Sequence, residues 1–286
     1  MTSLKSTLYS PMVKSLCSSD GTTIYAKAAG DPCNPSIILA YGLGLSAAVF
    51  DNLFKDKQLL AEVYLVHYDL HRQGRSRKPD TTEGYVSKVW VDDYCDHRGI
   101  QFEESSTVTV DVVAHLPPST LSGVALLSSI LNCTTSSVLA ISKIIIDFGP
   151  GLTTTSDVAL SRSTGKALVD TYFNDAAAIP FDLITSWYGM VMLTLSSVMT
   201  FLLTWEHNTT KYFEEEKNGL PLLLVYGSED KHVHGEVLAK ELPDHFNNLK
   251  VHVVEGGSHA SFYERQDEVV TELLSFVKRT EVSGYI

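Results

Sequence analysis

What most limits the folds open to this chain is a pair of matching blocks in which apolar runs of strand length alternate with helix-spaced segments. In the first block, "SIILAYG" (36–42) is closed by glycine and "VFDNLFKDKQLLAE" (49–62) has helical spacing. "VYLVHYDL" (63–70) is a second apolar run, and "GYVSKVWVDDYCDH" (84–97) suits another helix. The second block repeats the pattern with "LPLLLVYG" (220–227), "GEVLAKEL" (235–242), "KVHVVEGG" (250–257) and the amphipathic "QDEVVTELLSFVKRT" (266–280). Continuous apolar strands are buried on both faces, as in a parallel sheet covered by helices on each side. Residues 12–29 add two short strands around the turn Ser19-Asp20-Gly21. The predicted class is therefore α/β, with a doubly wound, mostly parallel sheet. Residues 132–215 break the alternation and read as a helical cap inserted between core segments 1–131 and 216–286. Ligands of such sheets bind beyond the carboxyl ends of the strands, so a cap there would act as a lid.

Composition narrows the partners. With 22 Lys and Arg against 34 Asp and Glu, the net charge is −12, and an acidic surface repels nucleic acid and anionic membrane. Cys17, Cys33, Cys95 and Cys133 form no CxxC pair, so a zinc site is not expected and reduced thiols in a cytoplasmic setting are. The polar start lacks the apolar core of a secretory signal, which leaves the sequons at Asn132 and Asn208 as chance matches. The uncharged run from Leu183 to Trp205 is as long as a membrane span. Its scattered Thr and Ser, with Asp182 and Glu206 at its flanks, favour a buried or lid helix pair.

The strand ends carry the candidate chemistry. Gly42-Leu43-Gly44 follows the first core strand, where a turn of small residues exposes N–H groups able to hold an oxyanion. Asp230 follows the 220–227 strand in "GSED", and His259 follows the 250–257 strand in "GGSHA". A carboxylate that fixes the tautomer of a histidine base is the back half of a hydrolytic triad.

These segments are similar to the α/β-hydrolase fold family, of the AB hydrolase-1 serine hydrolase type. "YGLGLSAAVFD" resembles the oxyanion loop, with Tyr41 where histidine is usual. "HYDLHRQGRSRKPD" (67–80) resembles the segment after the fourth core strand, with Asp69, Gly74 and Ser76 at the expected spots. "LLLVYGSEDKHV" resembles the acid strand, and "VEGGSHASFYERQDEV" the histidine loop and final helix. The likeness covers roughly 20–131 and 216–280. It implies Asp230 as acid, His259 as base and the Leu43 N–H, beside Gly42, as oxyanion donor. The implied reaction is hydrolysis of an ester, amide or related bond in a small substrate with an apolar portion, without cofactor or metal.

The family's nucleophile sits in a G-x-S-x-G elbow between the fifth strand and the next helix, and no such stretch exists here. "TVTVDVVAHLPPSTLSGVALLSSI" (107–130) resembles the following helix and sixth strand. If the preceding helix ends near His97, nine residues, "RGIQFEESS" (98–106), remain for a loop, a strand and the turn. "GIQF" reads as too short for a central strand, and the segment reads as about a dozen residues short of the pattern. Three readings follow: a hydrolase that lost its elbow through the transcript, a non-catalytic relative that binds or regulates, or a nucleophile elsewhere. Candidates for the last are Ser163, in "VALSRSTGKALVD", and Ser105 and Ser106 beside the expected elbow. Loss of a central strand would leave a hole in the sheet and a less stable protein. The "HVH" pair (His232, His234) reads as a solvated loop, "EEEK" (214–217) as a solvated helix end, and Glu264 as a local capping or pairing residue.

Overall fold

The apolar runs of both blocks pair in one eight-stranded sheet. The structure, a computed structural model, describes residues 10–78, 91, 99–103, 106–118, 120–130, 139–204, 208–244 and 246–282. The strands are β1 (Met12–Cys17), β2 (Thr23–Ala29), β3 (Ser36–Ala40), β4 (Tyr64–Tyr68), β5 (Gly99–Glu103), β6 (Leu121–Leu127), β7 (Leu222–Gly227) and β8 (Leu249–Val254). Their order is β1-β2-β4-β3-β5-β6-β7-β8. β2 runs antiparallel to both β1 and β4, and every other pair is parallel. Every residue of β6 and β7 is buried, which accounts for their unbroken apolar runs. β1 is exposed along its whole length, as an edge strand can be. The Asp20 carboxylate accepts the Thr22 N–H at 2.8 Å inside the predicted β1–β2 turn, and Gly21 supplies a φ of +82° there.

The expected gap in the sheet is not there. Gly99–Glu103 forms a central strand, with Ile100 opposite Ile37 on β3 and Phe102 opposite Ala125 on β6. Its neighbours β3 and β4 are themselves five residues long, so a five-residue strand of about 17 Å spans the layer. Helix α2 (Ser106–His115) begins three residues after Glu103. A strand and the start of a helix therefore fit within a stretch that reads as too short for them, and the premise for a destabilising hole falls away. The helix expected over 84–97 lies outside the described residues.

The helix expected over 49–62 is shorter than its spacing suggests. Two 3-10 turns, Ala47–Phe50 and Leu53–Lys55, precede α1 (Lys57–Glu62), whose N-cap Asp56 accepts the Leu59 N–H at 2.9 Å. Phe50, Leu53, Phe54, Leu59 and Leu60 are all buried, so the apolar spacing reports burial across three short elements. Between β6 and β7 lie α3 (Lys143–Thr153), α4 (Val158–Thr171), α5 (Phe181–Leu193), α6 (Ser196–Thr204) and α7 (Thr210–Lys217). The uncharged run splits into α5 and α6, bent by 84° at the Thr194–Leu195 break, and no single described helix is long and apolar enough to cross a membrane. Thr185, Thr200 and Thr204 return their hydroxyls to carbonyls four residues back, so these polar groups are satisfied within the helices. Ile184, Trp187 and Val191 form the buried stripe of α5. The chain closes with α8 (Gly235–Glu241), α9 (Ser261–Glu264) and α10 (Gln266–Val282).

Candidate active site

The loop after β3 is braced from the loop after β4. Tyr41, at the end of β3, is buried, and its hydroxyl accepts the Leu70 N–H at 2.7 Å. Burial, followed by the nearby Asp69 charge, raises its phenol well above the ordinary range, so Tyr41 stays protonated. The fully buried Asp69 accepts the Ala47 N–H at 2.8 Å, and the Arg75 N–H and Nε at 2.7 and 2.9 Å. Gly74 has φ +48°, and a Cβ there would stand 2.4 Å from the Asp69 carboxylate, so a side chain is excluded. Ser76 completes the brace by donating to the Asp69 carbonyl at 2.5 Å and accepting the Tyr25 N–H at 3.0 Å. In this way the segment with Asp69, Gly74 and Ser76 holds the start of the 3-10 turn that follows Gly42-Leu43-Gly44. Apolar side chains of α5 and α6 lie over the same loop: a Cβ on Gly44 would meet Met199 Cε at 2.4 Å and Val191 Cγ2 at 3.6 Å.

The loops after β7 and β8 are joined through their backbones. A Cβ on Gly227 would stand 2.2 Å from the Gly257 carbonyl oxygen, so only glycine permits this approach. Glu229 N–H donates to the same carbonyl at 2.9 Å. Asp230 Oδ1 accepts the N–H groups of His232 and Val233 at 2.7 and 3.1 Å, which aims the carboxylate before any side chain meets it. Its two oxygens then lie 3.0 and 2.9 Å from His259 Nδ1. The Asp230 side chain is 1% exposed and that of His259 7%. A buried carboxylate on Nδ1 keeps the proton on that nitrogen and assigns proton acceptance to Nε2. Glu264 accepts from Ser258 Oγ and from Asn174 N–H.

His232 is not in a solvated loop. It is buried, its ring centroid is 4.2 Å from that of His259, and its Nε2 lies 2.7 Å from Thr171 Oγ1 at the end of α4. Burial first, then the neighbouring His259 and Lys231 charges, hold its pKa well below the ordinary histidine value, so it is neutral at neutral pH. A cation there would oppose the charge that a base at His259 acquires. His234, by contrast, is half exposed beside Glu236. Among the described residues no cluster of His, Cys, Asp and Glu could hold a metal ion.

The three serines fall in different places. Ser163 lies within α4, exposed, with its hydroxyl donated to the Leu160 carbonyl at 3.0 Å. That is a helix surface rather than a strand-to-helix turn. Ser106 is the first residue of α2, and Ser105 lies outside the described residues in the two-residue link from β5. Glu103, the last residue of β5, pairs with Leu126 near the carboxyl end of β6. There Ser128 has a φ of +48° and a buried hydroxyl with no partner among the described residues. Such strain concentrates at functional sites. No sequence motif marks Ser128 or Thr171, and nothing in "HVH" signals that His232 packs against His259 and Thr171, which are distant in the chain.

The fold is shared by solved structures. A Burkholderia cenocepacia protein assigned as an aryl esterase superposes with a TM-score of 0.81 at 18% identity, over 95% of this chain and all of its own. An esterase from Rhodococcus sp. gives 0.79 at 19%, over 93% and 98%. This chain has the α/β-hydrolase fold. A bromoperoxidase from Bacillus anthracis, at a TM-score of 0.73 and 16% identity over 94% of this chain and all of its own, has it too. No family model and no curated protein matches the sequence. In α/β-hydrolases the nucleophile elbow lies between the fifth strand and the next helix, which here are β5 and α2.

Proposed function

We propose that this chain is a serine hydrolase of small esters with an apolar portion. The observation that carries the reading is the buried Asp230–His259 pair at 2.9–3.0 Å, set at the carboxyl edge of the sheet with the Leu43 loop. Ser105, the last residue before α2, supplies the nucleophile. Its hydroxyl oxygen bonds to the substrate carbonyl carbon while His259 takes the proton and Asp230 holds the imidazole. The Leu43 N–H, with Gly42 shaping the turn, stabilises the oxyanion. Collapse of the tetrahedral intermediate expels the alcohol, which leaves with the proton from His259. Water, deprotonated by the same base, then cleaves the acyl-enzyme to release the acid and restore Ser105. The helices between β6 and β7, the expected cap of 132–215, close over this edge. Val191 and Met199 against Gly44 give the substrate side an apolar wall. Solved proteins of the same fold include esterases, which supports the reaction class.

Reaction with a fluorophosphonate probe tests the reading. Labelling of the wild type is expected, with loss in Ser105→Ala and His259→Ala and retention in Ser106→Ala and Ser163→Ala. A second reading, a ligand-binding protein without a nucleophile, is favoured by Glu103 and Thr107 at the places of the two elbow glycines. Folded wild-type protein that takes no probe and hydrolyses no 4-nitrophenyl ester would establish that reading in place of the first.

A further inference from the structure

We infer that Tyr172 is a positioning residue that locks the oxyanion loop and the histidine loop into one frame, an inference that rests on the hydrolase reading. Tyr172 is 1% exposed and is the C-cap of α4, its N–H bonded to the Val169 carbonyl at 3.1 Å. Its hydroxyl donates to the Leu43 carbonyl at 3.3 Å. Its ring lies 4.9 Å from the His259 ring and 4.6 Å from that of His232, edge-on to both. Its carbonyl accepts the N–H of Ala260, the residue after His259, at 2.9 Å. On the far side the buried Trp187 ring meets it edge-on at 5.4 Å, which fixes the phenol ring in place.

One side chain thus touches the loop that stabilises the oxyanion and the ring that moves the proton. The Leu43 residue carries both the proposed donor N–H and the carbonyl that Tyr172 holds. Leu45 N–H to the Gly42 carbonyl (3.3 Å) and Asp69 to Ala47 N–H (2.8 Å) secure the following turn. Tyr172 closes the remaining side, so the backbone torsions of Leu43 are set relative to His259. A donor contributes only when held near the position of the developing charge, and misplacement by about 1 Å costs on the order of a hundredfold in rate. The insertion therefore contributes more than cover: its α4 end is part of the catalytic framework.

Tyr172→Phe keeps the ring and removes the hydroxyl tie to Leu43. The expected result is a fall in kcat of about tenfold with KM within twofold, because ground-state binding does not use the donor fully. In the same variant, amide hydrogen exchange at Leu43 and Gly44 accelerates about tenfold while Ile38 and Leu39 in β3 are unchanged. Tyr188→Phe, which removes a hydroxyl bonded to Asp170 away from the loop, is expected to alter neither. Unchanged loop exchange in Tyr172→Phe would overturn the tie, and faster exchange with unchanged kcat would overturn its catalytic consequence. A wild type without esterase activity would overturn the hydrolase reading and Tyr172's part in it. The exchange measurement would still decide whether Tyr172 holds the loop.

Discussion

On the acid–histidine side of the site, the Asp230 carboxylate and its turn are fixed locally, while His232 and Ala260 are tied to Thr171 and Tyr172 at the end of α4. The Asp230 carboxylate is held by amides two and three residues further on, and the loops after β7 and β8 meet through Gly227 and Gly257. On the side proposed for the nucleophile, position comes from pairing across the sheet: β5 is registered against β3 and β6. Local constraints leave a short, readable signature of residue types. Cross-sheet constraints leave almost none, and the absence of a glycine motif there does not mean the absence of a strand–turn–helix.

The largest expected effect probes the first side. Asp230→Asn preserves the carbonyl oxygen that accepts the His232 and Val233 amides but favours the wrong imidazole tautomer. A fall in kcat on the order of 10⁴ is expected for ester hydrolysis, with a near-native melt. A variant within tenfold of wild type would break the parallel between pair geometry and role. The second side is probed by Gln101→Pro, which removes a ladder donor from a strand paired on both edges. A loss of about 3 kcal/mol or more, read by urea denaturation, is expected. Wild-type stability in that variant would mean that β5 is not the central strand.

The smallest effect is a pH dependence that separates the two sides. His67 is buried on β4 against Phe54, its ring nitrogens make no hydrogen bond among the described residues, with Nε2 3.9 Å from Asp51 Oδ1, and burial lowers its pKa to about 2. His232 is lowered in the same direction. The unfolded chain protonates both below about pH 6.5 while the native state does not, so the unfolded state binds more protons and native stability falls as pH drops. For His67 that window runs from about 6.5 down to about 2. His232→Asn is expected to flatten the stability slope between pH 6.5 and 5 by up to about 1.4 kcal/mol per pH unit. An unchanged slope would show that His232 is not buried in its neutral form beside His259.

Much of the architecture was legible because burial writes itself into the sequence. The apolar runs at 36–42, 63–70 and 220–227 each contain a buried strand of the sheet. Asp230 and His259 were legible as a candidate pair because each follows directly on such a run. β5 was misread because "GIQF" was judged against an average strand, whereas its neighbours β3 and β4 set the required length at five. The 49–62 segment was misread as one helix because burial of Phe50, Leu53, Leu59 and Leu60 imitates helical spacing across three elements. His232 was misread because its neighbour on one side, Thr171, lies far away in the chain.

By itself, then, the sequence determined the α/β class and the strand ends that carry the candidate acid and base. These follow from the order of residues along one or two adjoining elements. Only the tertiary structure decided that a central β5 exists, that Ser163 lies on a helix surface, and that Tyr172 touches both Leu43 and His259. Each of those depends on register or packing between segments tens of residues apart, and contacts of that kind leave no periodicity in the chain that forms them.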